Sequence, residues 1–213
     1  MIDKKSERKQ LLEAVTRQHI LDATVQVMTR DGISALTMDK VAAEAHVAKG
    51  TLYVHFQHKQ EIVDAAIEES IAPLVEALSA ILDSDLAPHD KLRQVTLSHM
   101  RFCDTHSDLF RVILYDQQHT SDETKRFRND RYWTFIKRVA RVVEQGIIEG
   151  GFRRMDPTKL AIMFIEASRA VLVQRLSSND TGKIEDDVDL VYDIFMHGIS
   201  TDVRAARGRT DNR

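Results

Sequence analysis

The sequence predicts an all-α protein with a small N-terminal helical domain followed by a larger C-terminal helical domain. Only 3 of its 213 residues are Pro and 8 are Gly, while 43% are hydrophobic. This composition favours helices over a turn-rich β structure. Apolar residues recur at helical spacing through most of the chain, with recognisable start and stop residues between the runs. The length is sufficient for one large or two small domains with substantial cores.

The stretch 37–56, TMDKVAAEAHVAKGTLYVHF, predicts two short helices joined by a tight turn. Thr37 can cap the first helix with its hydroxyl, and Asp39 places negative charge in the first turn, where the helix dipole favours it. Leu36 and Val41 have the spacing of a hydrophobic staple across the helix start. We therefore expect a helix that begins after Thr37, with a turn at 46–47.

The second helix is expected from about Ala48 to His55, with Leu52 and Phe56 on its inward side. A glycine within a helix costs about 1 kcal/mol relative to alanine, so Gly50 indicates close approach to another surface. An α-helix fits the major groove of B-DNA, where side chains contact base edges. The pattern therefore predicts a helix-turn-helix. Its outward side carries Gly50, Thr51 and Val54, flanked by Lys49, Tyr53 and His55.

The motif AKGTLYVHFQHK, preceded by TMDKVAAEAHV, resembles the DNA-binding domain of the TetR family of one-component transcription regulators over residues 17–62. The resemblance implies that the outward residues of the second helix face bases or nearby phosphates. Ala48 replaces a common capping serine of the family, and His46 replaces a common turn glycine. By position, the resemblance assigns contacts with bases or nearby phosphates to Lys49, Gly50, Thr51, Val54 and His55. It assigns contacts with the DNA backbone to Thr37, Tyr53 and Lys59.

The charge distribution is compatible with DNA binding at the N-terminal end. The whole chain carries a formal charge of −3, but residues 1–60 contain more basic than acidic residues. No apolar run reaches the roughly 20 residues that cross a membrane, and the N-terminus is polar. The single cysteine, Cys103, fits a reducing compartment. We therefore expect a cytoplasmic protein with no membrane partner.

The expected domain organisation follows from these patterns. Residues 1–60 form the helix-turn-helix domain, with 1–15 as a flexible arm and a first helix that starts near Thr16. Residues 61–205 form the ligand-binding and dimerisation domain, and 206–213 form a loose tail. Asp156 followed by Pro157 is a clear helix start.

The helix expected at about 90–105 carries polar side chains on its inward stripe. His99, Cys103 and His106 are compatible with partly buried polar residues, with the polar lining of a small-molecule pocket, or with a metal site that lacks an evident fourth ligand. Trp133 fits either a pocket or, better, the core. The candidate effector pocket comprises His99, Phe102, Cys103, His106, Trp133 and Phe164.

Two long helices near the C-terminus predict a homodimer interface. The helix beginning at Pro157 is apolar around most of its circumference, which indicates burial on more than one side. The last helix, about 184–203, offers a second apolar seam. Two helices from each of two chains would form a four-helix interface. Glu166 and Arg169 are interpreted as an ion pair.

The function predicted from the sequence is a homodimeric repressor that binds a pseudo-palindromic double-stranded operator and is released by a largely apolar small molecule. No cofactor or resident metal is expected. One alternative keeps the fold without an effector, as a constitutive DNA- or partner-binding protein, and another is a metal-responsive regulator. An enzyme is disfavoured because the sequence lacks a phosphate-binding glycine loop, a nucleophile elbow, a HExxH pair and a cysteine cluster.

Overall fold

A computed structural model describes residues 4–115, 122–178 and 182–199, with side chains for 6–114, 129–178 and 182–199. Throughout these residues the regular secondary structure is helical, which confirms the predicted all-α class. The predicted tail at 206–213 and the end of the predicted second domain lie outside the described residues. The helices are α1 (Lys4–Asp31), α2 (Met38–Glu44), α3 (Lys49–His55), α4 (Lys59–Asp83), α5 (Pro88–Thr105), α6 (Ser107–Tyr115), α7 (Asp122–Ile148), α8 (Pro157–Ser178) and α9 (Ile184–Ile199).

The first helix begins at Lys4, so the predicted start near Thr16 is wrong, and most of the expected flexible arm is helical. The segment lacks an apolar stripe, but its Lys, Glu, Arg, Gln, Leu and Ala residues are good helix formers. The Thr16 hydroxyl donates to the Leu12 carbonyl at 2.8 Å, within the helix. Gly32 ends α1 as predicted, with a φ of 84° that a residue without Cβ adopts easily.

The chain divides into two compact units. The first comprises Met1–Pro73 and Asp108–Lys125, and the second comprises Leu74–Ser107 and Arg126–Arg213. The predicted boundary between residues 60 and 61 falls inside α4, which continues through Pro73 to Asp83. α4 therefore contributes residues to both units.

The core of the first unit joins the helix-turn-helix to the helices around it. Side chains from α1, α2, α3 and α4 pack together with Leu109 of α6. The helix-turn-helix domain is small, so α4 and α6 supply apolar area that α1, α2 and α3 alone lack. Its most deeply buried members include Ile20, Val27, Val41, Leu52 and Ile62.

The second unit has its own larger core, to which α4, α5, α7, α8 and α9 contribute. Arg175 is only 6% exposed, and its guanidinium donates to Asp104, Asp187 and the carbonyl of Gly182 at 2.7–2.9 Å. A buried cation is tolerated only when it is paired and hydrogen-bonded. These bonds therefore hold α8 to the end of α5 and the start of α9.

The structure corrects the preferred interpretation of Trp133 as a core residue. It is 41% exposed, whereas Ile136, Val139 and Val143 of the same helix are fully buried. Trp133 lies on the flank of that stripe, so its large ring extends past the buried face and packs edge-on against Tyr132.

None of the helices that the structure describes combines the length and the apolar character needed to cross a bilayer.

Candidate nucleic-acid interface

The start of α2 is fixed by the cap that the sequence predicts. The backbone N–H of Lys40 donates to the Thr37 hydroxyl at 3.3 Å, and Thr37 itself has extended backbone angles. Met38, Val41 and Ala42 are buried against the rest of the first unit. This side of α2 therefore anchors the helix-turn-helix, while Asp39 remains on the surface.

The turn between α2 and α3 depends on an unusual backbone conformation at His46. Its φ is 53°, the left-handed region that non-glycine residues rarely occupy. The N–H groups of His46 and Val47 donate to the carbonyls of Ala43 and Ala42 at 3.2 and 3.0 Å. These bonds close the turn, so the chain reverses into α3 although it lacks the glycine common in the family.

The two sides of α3 differ as the helical spacing predicts. Leu52 and the following Phe56 are buried in the first unit, whereas Tyr53 is exposed and Val54 is 79% exposed. A Cβ placed on Gly50 would meet no described heavy atom within 4 Å. The outward side of α3 is therefore low in profile at Gly50 and apolar at Val54.

The lysines at the starts of α3 and α4 have partners within the protein. Lys49 forms a 2.7 Å ion pair with Asp39, and the hydrogen bond to that carboxylate raises the pKa of Lys49. The Nζ of Lys59, the first residue of α4, donates to the carbonyl of Ser34 at 3.1 Å. Both contacts are on the surface, where they are weak, so each ammonium group can exchange its partner for a phosphate.

An ion-pair network that the sequence analysis missed holds α1 to α2. Arg30 contacts Asp31 and Glu44, and Lys40 donates to Asp31 at 2.8 Å. The hydrogen bond from Lys40 is the main reason why the pKa of Asp31 is lowered. The two pairs that join the helices link residues 9 and 14 positions apart, so the sequence alone does not predict them. These surface ion pairs link α1 to α2, the helix that precedes the turn.

The candidate effector residues separate into two groups in the second unit. The rings of Phe102 and His106 stack with their centroids 4.2 Å apart. Both residues line an open cleft of about 470 Å³ between α4 and α5. Cys103 and Phe164 are buried in the core, and Trp133 lies outside the cleft lining. The cleft also includes residues that the sequence analysis did not select: Leu74, Ala77, Ile81, Gln94, Leu97, Ser98, Arg101 and Thr105.

His99 and Cys103 are held in uncharged forms by their surroundings. Burial lowers the pKa of His99 to about 4 and raises the pKa of Cys103 to about 12. A neutral thiol is a poor nucleophile and a poor metal ligand. Within the described residues, His99, Cys103 and His106 form no group that could hold a metal ion.

Two family models match the chain. The model described as bacterial regulatory proteins, tetR family, covers residues 20–66, and the model described as tetracyclin repressor-like, C-terminal domain, covers residues 85–172. Together they cover more than half of the chain. The first includes the turn at His46 and all of α3, and the second includes the α5 residues of the cleft.

Characterised regulators and a solved structure are also similar to the chain. The transcriptional repressor KstR2 of Mycobacterium tuberculosis is 26% identical over 166 residues, which cover 74% of this chain and 80% of that protein. The fatty acid metabolism regulator protein of Bacillus subtilis is 23% identical over 146 residues, 68% of this chain and 75% of the relative.

The fatty acid degradation regulator FadR of Bacillus halodurans superposes with a TM-score of 0.75 at 19% identity, covering 86% of this chain and 95% of that one. At this identity the similarity establishes the shared fold. The N-terminal family model, which covers α2 and α3, agrees with their helix-turn-helix geometry. The chain belongs to the TetR family of DNA-binding transcriptional regulators.

Proposed function

We propose that this regulator is a repressor that binds an inverted-repeat operator as a homodimer and is released when a small molecule binds its second unit. The observation that carries the proposal is the exposed face of α3 around Gly50 and Val54, which is supported from behind by buried Leu52. Ligand-responsive repression is typical of the family.

α3 enters the major groove in this proposal, and Gly50 allows the helix backbone to approach the bases. Val54 meets the methyl group of a thymine, with Thr51 and His55 beside it. Lys49 exchanges its contact with Asp39 for a phosphate, because an exposed ion pair holds it only weakly. Thr37, Tyr53 and Lys59 position the DNA backbone.

The proposed dimer interface is the outer surface of α8 and α9. Met163, Leu190 and Ile194 are 63%, 53% and 68% exposed, an unusual exposure for large apolar side chains on neighbouring helices. Ala167 and Ala170 on α8 allow a second helix to approach closely. Burial of this surface by a second copy places two α3 helices on one duplex.

The proposed effector site is the cleft between α4 and α5. Leu74, Ile81 and Phe102 give it apolar walls, whereas Ser98, Arg101 and His106 supply polar groups. Such a mixture suits a largely apolar molecule with one polar end. We do not place buried Cys103 or Phe164 on its surface. Because α4 contributes to both units, a ligand that displaces it favours a state in which the paired α3 helices are badly spaced, with a coupling of about 1–3 kcal/mol.

The test of effector release uses an operator obtained by selection from random DNA. Fluorescence anisotropy of the labelled operator measures release by a panel of apolar acids, alcohols and amines. Phe102→Ala is expected to weaken the response to an active compound at least about tenfold while operator affinity stays unchanged. Ile148→Ala, an exposed position of α7, is the control. A compound that releases both variants equally contradicts the proposed site.

A further inference from the structure

An open cleft of about 360 Å³ lies between the first turns of α1 and the recognition helix α3, within the first unit. It is separate from the outward face of α3 that Gly50 and Val54 form, but it uses the same helix. Thr51 and His55 supply the α3 side of the cleft. The α1 side consists of Arg8, Lys9, Leu12, Glu13 and Thr16.

The α1 side of the cleft projects beyond the core of its unit. Ile20 is the first fully buried residue of α1, whereas Leu12 is 58% exposed. At 1.5 Å per residue, the segment from Lys4 to Ile20 extends about 24 Å. A helix segment with so little buried surface gains little stability from packing. This part of α1 therefore contributes little to the core, and its exposed side chains are available to a partner.

The charges of the cleft favour an anionic occupant. Arg8 and Lys9 lie on consecutive positions of α1, and Thr51 and His55 bring a hydroxyl and an imidazole from α3. Glu13 is the opposing charge, and it forms a 3.7 Å pair with Lys9 in which both side chains are well exposed. Such a pair is weak and leaves Lys9 available to a phosphate.

We propose that this cleft receives the sugar-phosphate backbone of the DNA strand beside the groove that α3 enters, with Arg8 and Lys9 as phosphate-binding residues. The cleft is continuous with the proposed base-reading face through Thr51 and His55, so DNA in the groove of α3 brings a strand to this side. The inference rests on the proposed DNA binding by α3. It extends the operator contact beyond the bases that α3 reaches.

Two substitutions of opposite sign test the proposal. Arg8→Ala removes one phosphate contact from each subunit of the proposed dimer, so it should lower operator affinity at least about fivefold at moderate salt and reduce the slope of log K against log salt by about 1.8. Base preference should not change, because phosphate contacts carry no sequence information. Glu13→Gln removes the opposing charge, so it should raise operator affinity. Both positions are exposed, and circular dichroism checks that helix content is retained.

Lys137→Ala is the matched control, since it removes one exposed positive charge from α7 in the second unit. Hydroxyl-radical footprinting adds a second measurement: Arg8→Ala should lose protection at the outermost protected sugars and keep it at the centre of each half-site. If Arg8→Ala matches Lys137→Ala in affinity, salt slope and footprint, the cleft proposal is overturned while selective binding by the unaltered protein upholds the proposed function. If the unaltered protein prefers no duplex, both fail.

Discussion

At α3, the role of each side chain follows from the side of a seven-residue helix on which it lies. Leu52 is buried and stabilises the unit, whereas Val54 contacts almost nothing within it. Changes at Val54 should therefore alter DNA recognition without altering folding. Gly50 has space for a Cβ in the described structure, so no described contact within the protein requires a glycine there, and the proposed close approach of the helix backbone to DNA supplies a reason.

Val54→Ser should change base preference at one position of each half-site and leave the melting temperature within about 1–2 °C of the original. The apolar contact with a thymine methyl is lost, and a hydroxyl can donate to or accept from the edges of several different bases. Selection from random DNA with both proteins measures the preference. An identical preference at every operator position would show that Val54 does not read a base.

His99 should make the protein less stable in mild acid. The pKa of His99 is about 4 in the folded protein because burial disfavours its charged form, against 6.5 for an exposed histidine. The unfolded chain therefore binds a proton between these values while the folded chain does not. The contribution of neutral His99 to the free energy of unfolding is present above pH 6.5. It is lost as the pH decreases toward 4, and the loss is about 2 kcal/mol at pH 5.

The measurement is urea unfolding of the original protein and of His99→Gln at pH 7.5 and pH 5. Glutamine does not titrate, so the variant should lose less stability over this interval. Equal losses in the two proteins would mean that His99 is accessible to protons in the folded state.

Residue-level sequence reasoning succeeded where local geometry decides the outcome. The Thr37 cap, the inward Leu52 and the Glu166–Arg169 ion pair all depend on spacing along one helix, and all are present. The prediction that Trp133 is buried in the core was wrong, because periodicity alone does not locate the edge of a buried stripe. The pairing of Arg30 with Glu44 was also inaccessible, since it requires the angle between α1 and α2.

At the scale of elements, capping residues and helix breakers set where a helix begins and ends, and a helix continues where the sequence contains neither. Asp156 accepts from the N–H groups of Thr158 and Lys159, so α8 begins at Pro157 as predicted. α1 extends to Lys4 because no breaker precedes Thr16, although the apolar stripe stops there. Periodicity finds the buried part of a helix and overlooks a part that projects from the core.

Gly146→Ala should destabilise the second unit by about 1–3 kcal/mol, although alanine favours helices. A Cβ on Gly146 would lie 2.3 Å from the ring of Phe152, which is buried and bonded to the Gly146 carbonyl through its own N–H. Gly198→Ala in α9, where a Cβ meets no described atom within 4 Å, is the control and should gain up to about 1 kcal/mol. Urea denaturation measures both, and a stabilised Gly146→Ala protein would mean that the Phe152 ring moves freely.

At the scale of the whole molecule, binding to an inverted repeat requires two copies of the chain. The sequence predicted the family, the all-α class and two apolar C-terminal helices, because these depend on motif and periodicity. It placed the effector among six residues, of which the structure brings only Phe102 and His106 to the cleft. The rest of the cleft comes from α4 and from further turns of α5, a pairing that no spacing along one helix specifies.

Ile194→Glu should convert the dimer to a monomer, because it places a charge in the proposed apolar interface. Ile148→Glu introduces the same charge at another exposed position, on α7, and should leave the dimer intact. Sedimentation equilibrium gives the mass of each protein. An Ile194→Glu variant that remains dimeric would place the interface elsewhere, and one that becomes monomeric should lose most of its operator affinity.

Binding of one operator by paired α3 helices is tested most directly by selection of bound sites from random duplex DNA with the purified full chain. Two α3 helices related by the proposed dimer axis predict an enriched inverted repeat, with half-sites about 10 base pairs apart or somewhat more. Failure to enrich any sequence, or enrichment of a single site without symmetry, would contradict the claim that paired α3 helices read one operator.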